Sequence, residues 1–112
     1  MALIPEMSED CFERDVVNAP VPVLVDLHAQ WCAPCKAMAP ALDDVARDYD
    51  GAAVIVTVDI DAQPGLAKAF GVRSVPTLVL LCKGIEKERM VGSTTRSKLA
   101  AMIDRHLDVA ND

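Results

Sequence analysis

Trp31-Cys32-Ala33-Pro34-Cys35-Lys36 is the stretch on which the reading of this 112-residue chain turns. Its two cysteines are three residues apart, at the junction between an apolar β-rich run and an amphipathic helical one. That spacing at a helix start puts both side chains on one side of the first turn, close enough to form a disulfide after small adjustments. The sulfur of Cys32 meets the orphan N–H groups and the positive end of the helix dipole, which stabilise a thiolate and lower its pKa. Cys32 is therefore the candidate nucleophile. Cys35, deeper in the helix and predicted to be less exposed, suits the resolving role: it attacks the mixed disulfide formed at Cys32 and releases the reduced substrate. Pro34 falls at or near the first helical position, where its missing donor costs nothing. Trp31, the only tryptophan, flanks the nucleophile with a rigid ring.

On the N-terminal side of this stretch, Val21 to Leu27 has a Val-Leu-Val centre that is apolar at consecutive positions, as in a strand covered on both faces. On the C-terminal side, Lys36 to Asp50 carries Met38, Leu42, Val45, Ala46 and Tyr49 on one helical face and Asp43, Asp44, Arg47 and Asp48 on the other. Pro40 lies within it and predicts a kink; Gly51 ends it. Further out, Ser8 caps a first helix running to about Asn18, with Phe12 and Val16 on its buried face. Ala52 to Val58 reads as a second strand, Asp59 to Gly65 as a loop, and Leu66 to Phe70 as a short helix. Leu78 to Cys82 and about Glu86 to Val91 read as two strands joined by a turn at Lys83-Gly84. Thr94 or Thr95 caps a last helix with Leu99, Met102, Ile103 and His106 or Leu107 on one face. A short strand is also sketched over residues 2 to 7. Strand and helix alternate first, which implies right-handed parallel crossovers, and the hairpin then adds antiparallel pairing. The expected fold is α/β, a mixed sheet with helices on both faces.

One domain spanning residues 1 to 112 follows from the length. Hydrophobic residues make up 52% and charged residues 25%, which is too apolar for a disordered chain and predicts a packed core. Eleven basic against 17 acidic side chains give a net charge of -6, and aromatics are only 4%. Nucleic acid is thus not an expected partner, since base-stacking surfaces need rings in a positive groove. Apolar runs reach about five residues, far below the roughly 20 that span a bilayer, so no membrane partner is expected. The N-terminus has no basic region followed by an apolar stretch of signal length, which points to the cytoplasm. Cys11, Cys32, Cys35 and Cys82 are too few for a disulfide-stapled scaffold. A zinc site would need further ligands, and Cys11, Cys82, His28 and His106 are scattered singly, so no metal is expected. Cys11 and Cys82 read as small buried hydrophobes.

Asp26 stands inside the apolar strand. Buried, it would keep a proton to near neutral pH and assist Cys35 as general base, directly or through water; the other reading is a strand-end aspartate in water.

The stretch Trp31-Cys32-Ala33-Pro34-Cys35-Lys36 resembles the Trp-Cys-Gly-Pro-Cys-Lys of the thioredoxin family. The likeness extends through Asp26, Pro40, Asp59 to Gly65, Val75-Pro76-Thr77, Gly84 and Val91-Gly92, covering about Ser8 to Leu107. It implies the thioredoxin fold, a central mixed sheet flanked by four helices, and reduction of protein disulfides by dithiol exchange. It implies no bound cofactor: electrons come from NADPH through a flavin-dependent thioredoxin reductase, and the partners are that reductase and disulfide-containing proteins, met by a monomer. It further implies a cis Val75-Pro76 bond opposite the cysteines, a general-base role for Asp26, and a contact surface of Trp31, Ala33, Pro34, Val75, Pro76, Gly92 and Ser93. There the Val75 backbone pairs with an extended substrate strand. Four positions depart from the family's pattern. Ala33 replaces a glycine and restricts the turn; Leu27 and His28 stand where Phe and Trp are common. Thr57 replaces a lysine that often neighbours Asp26, which predicts a higher Asp26 pKa than in lysine-bearing relatives. A thiol oxidase or isomerase on the same fold, and a binding or scaffold subunit with dispensable cysteines, are the rival readings.

Overall fold

The computed structural model describes residues 4–111, with side chains through residue 107. Four strands form one sheet in the order β2-β1-β3-β4. These are β1 (Val23–His28), β2 (Val54–Asp59), β3 (Thr77–Cys82) and β4 (Ile85–Val91). The helices are α1 (Glu9–Phe12, continuing as a π-helical Glu13–Val17), α2 (Ala33–Asp48), α3 (Pro64–Ala69) and α4 (Arg96–Asn111). β1 pairs parallel with β2, and its other edge pairs antiparallel with β3. The mixed sheet and its four flanking helices are the architecture expected from the sequence.

Each face of the sheet has its own core. Leu24, Ile55, Leu78 and Leu80 pack against Met38, Leu42, Val45 and Ala46 of α2 and Leu99, Met102 and Ile103 of α4. On the opposite face Val23, Val25, Leu27, Val56, Val58, Val79 and Leu81 meet Met7, Phe12, Val16 and Ala19, with Leu66 of α3 and Phe70, which caps its C-terminus, beside them. Neighbouring residues of one strand therefore enter different cores, which is why β1 and β3 are apolar at consecutive positions. Phe12 and Phe70 meet edge to face, ring centroids 5.6 Å apart, and tie α1 to α3.

The β3-β4 hairpin turns on two residues with positive φ, Lys83 at 52° and Gly84 at 80°, the pattern of a type I′ turn. A Cβ on Gly84 would stand 2.7 Å from Cγ1 of Val17, so this glycine also lets the turn lie against the end of the first helix. The register of β4 shifts opposite Leu80 and Leu81, a bulge that bends a charged edge strand. Of the strand sketched over residues 2 to 7, residues 2 and 3 lie outside the described part. The remainder makes a parallel bridge from Glu6 to Thr57, with Met7 N–H donating to Thr57 O (2.7 Å) and Thr57 N–H to Pro5 O (3.0 Å). α3 begins at Pro64, two residues before the expected start, with proline in the first turn. α2 runs through Pro40 to Asp48.

Candidate functional site

β1 delivers the chain to the sheet end at His28, three residues form the link, and α2 starts at Ala33 with Cys32 as its N-cap. Cys32 has extended backbone angles, as an N-cap requires, and its Sγ accepts the N–H of Cys35 at 3.1 Å. Pro34 occupies the first turn. Cys32 and Cys35 are joined by a disulfide, with Cα atoms 5.3 Å apart. In this oxidised state both are buried, Cys32 at 3% and Cys35 at 6% exposure, so the expected greater shielding of Cys35 does not appear in exposure. What separates the two is direction. Cys32 takes the helix N–H, whereas Cys35 lines a cleft beneath the site.

That cleft, about 340 Å³, is bounded by β1, β2 and α2, with Asp26, His28, Cys35, Lys36 and Thr57 in its wall. Asp26 is 4% exposed, and its Oδ1 has no hydrogen-bond partner among the described residues. Burial, only partly offset by the positive form of His28, pushes the Asp26 carboxyl up to about 6. Of the two readings of Asp26, the structure therefore has the buried one. Thr57 faces Asp26 across the β1-β2 ladder.

Around the disulfide, Ala29 completes a small apolar cluster against which Ile60 and Val75 pack. Val75-Pro76 is cis. Val75 is half-buried, Pro76 is buried, and Gly92, at φ 95°, donates its N–H to Pro76 O at 2.8 Å. Trp31 is 69% exposed, and Ala33, Pro34 and Ser93 are exposed. Of the seven expected contact residues, Pro76 is the one that is buried.

Sequence reasoning missed Asp61, whose carboxylate accepts the Trp31 indole N–H at 2.9 Å and fixes the ring. It also missed Asp59 behind it. Burial pushes the Asp59 carboxyl up, but the N–H groups of Asp61 (2.9 Å) and Ala62 (3.2 Å) outweigh this and hold it below its ordinary value. The only signal was the Asp-Ile-Asp at the end of β2, which reads as a loop without knowledge of what lies beside it. Cys82 is buried at the end of β3, and burial pushes its thiol up. Cys11 is half-buried and closes the cap of α1, its Sγ accepting the Ser8 N–H at 3.4 Å. Neither belongs to the cluster around Cys32.

Comparison with known proteins agrees with this geometry. The family model described as "Thioredoxin" matches residues 4–105. A thioredoxin of Synechocystis sp. is 35% identical over 107 residues, covering 96% of this chain and all of the relative. One of Pseudomonas aeruginosa is 42% identical over 104 residues, 93% of this chain and 96% of the relative. A chloroplastic M-type thioredoxin of Spinacia oleracea is 33% identical over 93% of this chain and 58% of its own length.

Proposed function

The chain belongs to the thioredoxin family, and we propose that it works through a mixed disulfide on Cys32 that Cys35 resolves. It is a thiol-disulfide oxidoreductase that reduces protein disulfides. In the reduced protein the Cys32 thiolate attacks one sulfur of a substrate disulfide; the other leaves as a thiolate and takes a proton from water. Cys35 gives its proton to Asp26 and attacks Cys32 Sγ, forming the Cys32-Cys35 bond and expelling the second substrate sulfur. The observation that carries this reading is the N-cap geometry: a Cys35 N–H aimed at Cys32 Sγ, at the positive end of a 16-residue helix, favours charge on that sulfur before any other.

Asp26 supports the second step, since a carboxyl held near 6 can both accept and return a proton around neutral pH. Trp31, Ala33, Pro34, Val75, Gly92 and Ser93, with Pro76 beneath them, form the docking surface, where an extended substrate segment pairs with the Val75 backbone. Electrons reach the disulfide from NADPH through a flavin-dependent thioredoxin reductase. The chain acts as a single-domain monomer of residues 1 to 112 in the cytoplasm. No helix among the described residues is long and apolar enough to cross a membrane.

Insulin reduction coupled to a thioredoxin reductase and NADPH tests the reading. Wild type is expected to consume NADPH well above the reductase-only control, and Cys32→Ser to fall to that control. Equal turnover by Cys32→Ser would refute the assignment.

A further inference from the structure

Alternate residues of a strand share a face, so β1 turns Leu24, Asp26 and His28 toward α2. Leu24 is sealed in the core. Asp26 and His28 instead line the same cleft, together with Cys35. Two residues along a strand is a separation of about 6.6 Å, a gap that one or two water molecules in a cleft of this size can bridge. Asp26 is sealed and unpartnered at Oδ1, whereas His28, at the end of β1, is half-buried and reaches solvent.

The other charged groups around the imidazole come from every element packed near it. Asp59 stands opposite His28 on β2, Glu6 lies in the segment bridging β2, and Lys36 and Asp43 come from α2. β3 begins with Thr77 beside Leu27 and offers none. Among the cleft-lining groups Thr57 carries no charge, and Lys36 is exposed, where solvent and salt screen it. His28 is thus the cation-forming group that shares both the strand face and the cleft of Asp26.

We propose that His28 governs the proton on Asp26: from the same strand face and the same cleft, its imidazolium holds the carboxyl in the ionised, proton-accepting form. The inference rests on Asp26 accepting the Cys35 proton. In each turnover Cys35 loses one proton to Asp26 as the Cys32-Cys35 bond forms, and Asp26 must lose that same proton before the next cycle. That proton leaves Asp26 for water in the cleft, so no proton or electron is left over. His28 touches neither substrate nor sulfur and is a positioning residue.

Carboxyl-carbon NMR titration of Asp26, and stopped-flow release of thionitrobenzoate from an aryl disulfide, separate the possible outcomes. The first thionitrobenzoate reports attack by Cys32 and the second reports resolution by Cys35. His28→Gln is expected to raise the Asp26 midpoint by about half a pH unit, the shift one lost charge gives at this distance in a solvated cleft. Its resolution step should be about twofold slower than wild type at pH 6, with a smaller difference at pH 8. His28→Lys, which keeps the charge at all these values, is expected to lower the midpoint and hold it down to pH 8. In an Asp26→Asn background, His28→Gln should have no further effect on resolution. An unmoved Asp26 midpoint in both His28 variants, or a pH-independent slowing that persists in Asp26→Asn, overturns the proposal while leaving Asp26 as the base. Wild-type resolution in Asp26→Asn alone overturns both.

Discussion

Asp26 carries a buried carboxyl between the apolar Val25 and Leu27, and its protonation therefore bears on stability. An unfolded aspartate titrates near 3.9, whereas burial first, eased by His28, holds this one up to about 6. Between those values the folded state binds a proton that the unfolded chain has released. The stabilisation linked to that proton is fully present below about pH 4 and is lost as pH rises through about 6. A gap of about two pH units corresponds to about 3 kcal/mol. Relative to wild type, Asp26→Ala is thus expected to gain about 3 kcal/mol between pH 4 and pH 7 in guanidinium denaturation. Taking the difference removes the opposing carboxylates Asp15, Glu86 and Glu88, which their arginine partners hold below the ordinary range. A flat difference would mean that the carboxyl is not held up. Thr57 bears on the same group: opposite Asp26 in the ladder, it supplies no cation. Thr57→Lys is expected to lower the Asp26 midpoint in a carboxyl NMR titration, and an unchanged or raised midpoint would contradict that electrostatic account.

At the scale of elements, the parts legible in the sequence were those whose pattern is local. α2 announced itself through Met38, Leu42, Val45 and Ala46 at helical spacing, all four buried, and through a proline in the first turn behind a capping residue. β1 was legible as a two-sided strand, β3 as a strand, and the Lys83-Gly84 turn as a hairpin. What was hidden depends on residues far apart in the chain. The start of α3 is set by Glu9, whose carboxylate accepts the Gly65 N–H at 2.9 Å while its own N–H donates to Gln63 Oε1, also at 2.9 Å. The hold of Asp61 on Trp31 is of the same kind, and so is the pairing of Thr57 with Asp26, since register between strands is not written in either strand alone. The two core-forming faces join at turns with little tolerance. Gly84→Ala is expected to cost about 3 kcal/mol, from the left-handed backbone and the contact with Val17, against about 1 kcal/mol for Gly51→Ala, where φ is 87° but the space is open. Urea midpoints of the two variants check this; equal losses would show that the turn does not lean on α1.

Over the molecule as a whole, the sheet separates two packed cores, and the chemistry sits at one end of it. There β1 ends, α2 begins, and the Val75-Pro76 and Gly92 loops approach from β3 and β4. The disulfide is buried beside an exposed tryptophan, while Asp26 lies behind it in a cleft. In the proposed mechanism, electrons are exchanged with a partner at the tryptophan side while the proton enters or leaves through the cleft. Both sheet edges discourage strand addition elsewhere. Pro5 to Met7 cover part of β2, and β4 is charged and bulged, so strand addition at either edge is disfavoured. The most direct measurement of the account is the capture of a protein disulfide by Cys35→Ser, read by intact mass and peptide mapping. A stable adduct attached through Cys32, resolved within seconds when Cys35 is present, is the predicted result. Adducts forming equally well through Cys35 in Cys32→Ser, or none on Cys32, would contradict it.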